Sequence, residues 1–452
     1  MPEESPTKVL TSFSANASFE DLPEQVVHEA KRVMLDSFGV AMASPLTDRG
    51  KIAIAYARQL GGPPEATVLG VGDRVSCQGA AFANGEMISD LDYDVRIRIE
   101  DWGIHLTPFV VSAPVAVAER EGASGKDLIL AVTLAHEVGA RILASVSSRS
   151  GGESVEPLVY GYSTGALGGT AGVCSILRFD QMKTANALGV ACHMIPVPTA
   201  AKWRFGVHSP IHKYCIAGWQ GTIAIAATAL AEMGYYSDTT FLDGERGFWR
   251  MYGATNESKW GILTEGLGEK WHIVNADYKF YPHCAITHRH LDAFASIIKE
   301  NGLRPDEIDK VEVKGGLNGI FNPLRQNREI GTHLDTQFSI YYGFAAVAYD
   351  IKPIDWQDPM VFRNPKIIGF MDKVSYQADN NVPCVTVKAR GRTFEKNVSK
   401  RISAVTDEAL MEKFRSITSK TLAATKAEKA IEAIMKLEDI EDLRELMRLL
   451  ST

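Results

Sequence analysis

Residues 123–146, ASGKDLILAVTLAHEVGARILASV, decide the fold class. Leu128, Ala131, Val132, Ala135, Val138 and Ile142 recur at the spacing that puts apolar groups on one face of a helix. The same period runs through 21–43, where Asp21 and Pro23 are helix-start signals and Val26, Val27, Ala30, Val33, Met34 and Phe38 follow. Segments 179–194 and 214–234 continue it. The second of these, YCIAGWQGTIAIAATALAEMG, is apolar almost all round and rich in Ala and Gly, as a buried helix is. Near residue 270 the texture changes. HIVNADYKFYP (272–282), DKVEVKGG (309–316), KVSYQAD (373–379), CVTVKAR (384–390) and TFEKNVS (393–399) alternate or favour β-branched residues, so they read as strands. Two helical runs, 287–302 and 334–350, lie between them, and helix returns after about residue 400. The pattern predicts a mainly α protein with a smaller α+β domain: an all-helical domain over 1–269, completed by 400–452, and an α+β domain over 270–399. The Gly- and Ser-rich 145–156 reads as a mobile loop.

A chain of 452 residues, 45% hydrophobic and 23% charged, can bury a sizeable core and suits two domains. Its net charge of -7 argues against general nucleic-acid binding. The six cysteines form no CxxC pair and read as reduced, buried thiols of a cytoplasmic protein. The N-terminus lacks a basic stretch leading into an apolar run, so no signal peptide is expected. The longest apolar run noted, PFVVSAPVAVA (108–118), is shorter than the roughly 20 residues of a membrane span. A soluble protein with no membrane partner is the expectation.

Three stretches could carry chemistry. DLDYDVRIRIEDWGIHLTP (90–108) crowds Asp90, Asp92 and Asp94 around a tyrosine, with His105 following. It reads either as a solvated loop or as part of a site in which close carboxylates shift one another's protonation or are neutralised by Arg96 or Arg98. A carboxylate with a histidine suits proton transfer. KFYPHCAITHRH (279–290) holds His283, Cys284, His288 and His290 without the spacing of a zinc site, so no metal is expected. Its first His or Cys could move a proton or bind an anion. AAKWRFGVHSPIHKYCIAGW (200–219) places Lys202, Arg204, His208, His212 and Lys213 before the small-residue helix, where free backbone N–H groups would help bind an anion. YGYSTGALGGTAG (160–172) lacks nucleotide-loop spacing.

ANGEMISDLDYD (83–94), His105, 115–142, QMKTANALGVA (181–191), GERGFW (244–249), KFYPHCAITHRHLDAF (279–294), DTQFSIYYGFAAVA (335–348) and IEDLREL (440–446) occur in an order and spacing that resembles the MmgE/PrpD family across nearly the whole chain. That family contains 2-methylcitrate dehydratase, cis-aconitate decarboxylase and iminodisuccinate epimerase. The resemblance implies two domains with the active site in the cleft between them, homodimers, no metal or organic cofactor, and a small di- or tricarboxylate substrate. It implies that Asp92 and His105 are catalytic. Tyr162 stands where the family has a histidine, and Lys213, with His212 beside it, lies nearest the family lysine. His283–Cys284 falls at the position in the α+β domain. Val95 replaces the family's second aspartate. Catalytic roles are therefore expected for Asp92, His105, Tyr162, Lys213 and His283, and substrate binding for Lys202, His212 and Cys284. Asp92 or His105 would be the base, with Lys213, His212 and Lys202 facing the developing charge. The implied reaction is a lyase step, dehydration or decarboxylation, with epimerisation as the alternative. A relative that binds a carboxylate or a protein without turnover is a further alternative.

Overall fold

The computed structural model describes residues 5–99, 102–146, 162–196, 203, 206–248, 260–316, 322–377, 382–398 and 404–452. The mainly α part is built from long helices that include Glu24–Ala43, Cys77–Asp90, Gly125–Val146, Gly165–Ile176, Gln181–Met194 and Ala217–Glu232. The glycines allow these to pack closely. A Cβ on Gly168 would meet the Ala135 carbonyl at 2.3 Å, and one on Gly218 would meet the Phe82 carbonyl at 2.2 Å. At those two contacts glycine lets neighbouring helices touch backbone to backbone. Gly125–Val146 is 22 residues long with mean hydropathy 1.5, so it is long and apolar enough to cross a membrane, and PFVVSAPVAVA was not the limiting stretch. Its most apolar window is 94% buried inside the protein, as a core helix would be.

The helices Asp407–Thr418 and Ala424–Met435 return to this core: Leu410, Phe414, Ile431 and Leu446 share one buried cluster with Val33, Phe38 and Val132. A second cluster, from Leu291 to Ala389, belongs to the α+β part. There a four-stranded sheet runs Val374–Gln377, Ile308–Lys314, Cys384–Ala389, Arg392–Asn397, with the first pair parallel and the others antiparallel. Val311 and Val313 face inward in alternation, and a register shift between Ile308 and Lys310 brings Ile308 inward as well.

Of the expected strands, HIVNADYKFYP mostly fails. It forms a 3₁₀ turn, His272–Asn275, and only a two-residue strand, Ala276–Asp277. That strand joins Arg96–Ile99 and Trp102–Ile104 in a small antiparallel sheet and so brings residue 279 beside residue 92. The helix after the YPHC turn begins at Ala285, ahead of Thr287. The expected loop at 145–156 lies outside the described residues beyond Val146.

Candidate active site

The end of helix Cys77–Asp90 organises the site. The last carbonyls of any helix lack partners further along it, and the helix dipole leaves partial negative charge there. Leu91 closes this helix, and Asp92 follows with φ 52°, in the left-handed region. Glycine or asparagine usually sits at that position. Aspartate is one of the few other side chains that visit it, at a cost of about 1–3 kcal/mol. Five consecutive carbonyls here are each held by a side chain from elsewhere. Lys213 Nζ donates to Ser89 O (3.0 Å), Gln337 Nε2 to Asp90 O (2.7 Å), Gln357 Nε2 to Leu91 O (2.8 Å), Lys279 Nζ to Asp92 O (2.7 Å) and Lys413 Nζ to Tyr93 O (2.8 Å).

The three aspartates part company. Asp90 accepts from the Thr47 hydroxyl and lies 3.5 Å from His333 Nε2. Asp92 is gripped by two ammonium groups, Lys213 Nζ at 3.1 Å on Oδ1 and Lys279 Nζ at 2.7 Å on Oδ2, and Tyr214 OH donates to Oδ1 at 3.2 Å. Asp94 Oδ2 takes His105 Nδ1 at 2.8 Å. Neutralisation by Arg96, one of the expectations, does not occur: Arg96 pairs with Asp277. Tyr93 points the other way, its ring under Lys413 Nζ at 3.8 Å, where Lys413 also pairs with Asp36 at 2.6 Å. Val95, in place of the family's second aspartate, is buried, and its N–H donates to Asp36.

The protonation states follow from these contacts. Burial would raise the Asp92 pKa, but Lys213, Lys279 and His105 outweigh it and hold the carboxyl well below the usual range. Asp92 is therefore a fixed anion and a poor base, which removes it from the expected pair of candidate bases. Burial lowers His105, and the pull of Asp94 the other way does not restore it. His105 is thus neutral in the empty site, with Nδ1 committed to Asp94, leaving Nε2 as the nitrogen that can handle a proton. Each lysine ammonium has three N–H groups and spends two: Lys213 on Ser89 O and Asp92, Lys279 on Asp92 O and its carboxylate. Among the described residues, one N–H on each is left for a ligand.

An aromatic wall covers the cluster. His105 stacks on Tyr214 (centroids 5.4 Å), Tyr214 meets Tyr162 (4.7 Å) and Trp203 (5.4 Å), and Trp203 meets Phe338 (5.6 Å). Lys213 and Lys279 are 0% and 1% exposed, so the cluster lies beneath this wall. Burial raises the Tyr162 and Tyr214 hydroxyls, which makes both hydrogen-bond donors at neutral pH. Asp92, Asp94 and His105 present atoms within 4.8 Å of one another, a spacing that could suit a metal ion. Both Asp92 oxygens already face ammonium groups, however, so a cation there would meet strong repulsion, whereas an anion would meet two spare donors.

The other expected residues divide. Lys213 reaches the cluster, while His212 is exposed and turns its Nδ1 to the Lys213 carbonyl (3.0 Å); the lysine, not the histidine, holds the position. His283 is 0% exposed, with Nδ1 at 2.6 Å from Thr287 Oγ1 and Nε2 at 3.0 Å from Ser339 O. Burial depresses it to about 4. With both nitrogens engaged by Thr287 and Ser339, it braces its turn in this structure. Cys284 is buried and caps the following helix, its N–H donating to Gln337 O at 2.7 Å. His288 and His290 turn to different carbonyls, of His283 and Gly315. Lys202 lies outside the described residues. Lys279 was missed, and so was the specific role of Asp94.

Comparison with known proteins agrees with this architecture. The chain matches the MmgE/PrpD N-terminal domain over residues 8–261 and the MmgE/PrpD C-terminal domain over residues 281–439. It belongs to the MmgE/PrpD family. Cis-aconitate decarboxylase of Homo sapiens is 28% identical over 438 residues, covering 89% of this chain and 85% of the relative. Cis-aconitate decarboxylase-like protein oryM of Aspergillus oryzae is 21% identical over 462 residues, covering 93% and 92%. Cis-aconitate decarboxylase of Aspergillus terreus is 24% identical over 304 residues, covering 64% of this chain and 60% of the relative. By name these relatives are lyases, which supports a lyase in general and leaves the acid and the reaction open.

Proposed function

We propose that the chain is a cofactor-independent lyase that removes CO₂ from a small unsaturated tricarboxylate of the cis-aconitate type. The observation that carries the reading is the placing of the His105–Asp94 pair beside two buried lysines that, among the described residues, each keep an uncommitted N–H. The spare donors would take a retained carboxylate, and preorganised cations in a dry site stabilise charge that spreads into it. The aromatic wall would take the departing carboxylate, which loses its charge as CO₂ and is favoured by apolar surroundings. In this step the C–C bond to that carboxylate breaks, and its electron pair passes through the adjacent C=C to the carbon beyond. That carbon takes one proton from His105. A trianion and one proton give CO₂ and a dianion. His105 gains its proton on binding, because the incoming negative charge raises the pKa that burial had lowered. The names of the relatives point the same way.

The neutrality of His105 in the empty site favours a second reading, in which it first removes a proton, as dehydration or epimerisation would require. On this reading the enzyme works in the cytoplasm as a homodimer. Incubation with cis-aconitate in D₂O, followed by NMR and CO₂ capture, separates the readings. CO₂ release with one deuterium on the product carbon is expected. Deuterium without CO₂ would move the protein to the second reading, and neither across citrate, methylcitrate, aconitate, malate and aspartate-derived acids would leave a binder.

A further inference from the structure

Of the five side chains that hold the carbonyls of residues 89–93, only Gln337 and Gln357 are uncharged, and both come from the α+β part. Their orientation is forced. Asp90 O and Gln357 Oε1, at 2.7 and 3.0 Å from Gln337 Nε2, are both acceptors, so the atom facing them must be the nitrogen. That commits both N–H groups of Gln337. Gln357, its oxygen occupied, then aims its own amide nitrogen at Leu91 O. Gln337 is 0% and Gln357 7% exposed, so water does not substitute for these bonds.

The stretch 337–339 also touches the other turn of the site through its backbone. Gln337 O accepts the Cys284 N–H at 2.7 Å, and Ser339 O accepts from His283 Nε2 at 3.0 Å. One short segment therefore grips the helix end that presents Asp92 with its side chain, and the 283–284 turn with its carbonyls. Phe338, between them, meets Trp203 of the wall. The residue type also fits. A further ammonium at Asp90 O or Leu91 O would repel Lys213 and Lys279 and compete for Asp92, whereas an amide supplies the same hydrogen bond without charge.

We propose that Gln337 and Gln357 are positioning residues: a two-amide relay that sets the left-handed turn at Asp92, and with it the lysines and the His105–Asp94 pair, in register with the α+β part. This rests on the decarboxylase reading for its catalytic consequence but not for its mechanical one. Two variants test it. Gln357→Met removes the hold on Leu91 O, and Gln337→Met removes the hold on Asp90 O and the bond to Gln357, while the backbone link to the 283–284 turn stays in place. A shift of the reacting groups by an ångström costs roughly 10²-fold, so CO₂ release should fall about 10- to 100-fold in kcat with KM within about threefold. By amide hydrogen exchange and mass spectrometry, peptides over 89–95 should exchange faster in both variants. A lower Tm with kcat unchanged, or peptides that exchange as in the unaltered protein, overturns the proposal. If the unaltered protein turns over no acid, the decarboxylase reading fails, and the exchange pattern alone decides the relay.

Discussion

Asp92→Asn should destabilise the protein by about 3–5 kcal/mol and lower turnover by at least roughly 10²-fold. The carboxylate is the only anion touching both Lys213 and Lys279 among the described contacts, and all three groups are buried. Taking ions out of water costs several kcal/mol each, and mutual attraction repays it only while every partner is present. An asparagine leaves two ammonium groups facing a neutral amide. Urea or guanidinium unfolding measures the loss. The explanation carries its own control: adding Lys279→Met to Asp92→Asn removes one stranded cation and should restore about 1–3 kcal/mol. An Asp92→Asn variant as stable as the unaltered protein would mean that the triad is not the paired unit described.

His105→Gln should keep the fold and lower turnover by about 10²- to 10⁴-fold, the usual worth of a positioned acid or base. Its pH signature is more specific. Burial lowers the His105 pKa below its usual value, so the ring is mostly neutral at pH 7. A bound polycarboxylate raises that pKa, so complex formation takes up a proton and affinity rises as the pH falls through the raised value. Calorimetry with citrate in two buffers of different ionisation enthalpy reads the uptake. It should vanish in His105→Gln; uptake that persists in the variant would assign the proton to another group.

The sequence carried the helical period of 123–146, the change of texture near 270 and the return to helix after 400, because burial imposes period on long segments. It also carried Asp92 and His105 as an acid and a histidine on one loop. Lys279 was hidden because a single lysine in YKFYP has no spacing to betray it; its role exists only because strand Ala276–Asp277 pairs with Arg96–Ile99. His212 and Lys213 look interchangeable in sequence, yet one side chain faces solvent and the next is fully buried, a difference fixed by the left-handed backbone at Lys213 (φ 53°). His283 looked reactive in sequence because its partners, Thr287 and the Ser339 carbonyl, are visible only in three dimensions. The carbonyl contacts of residues 89–93 were out of reach for a similar reason: which backbone oxygens a helix end leaves open can be read, but which distant side chains fill them cannot.

A crystal structure with an unreactive tricarboxylate analogue tests the central claim most directly, that two lysines and a histidine–aspartate pair form one anion-binding, proton-handling centre. A ligand carboxylate is expected about 3 Å from Lys279 Nζ or Lys213 Nζ, with the carbon to be protonated about 3–3.5 Å from His105 Nε2. A ligand seated elsewhere, with Asp92, the lysines and His105 still closed on one another, would contradict it.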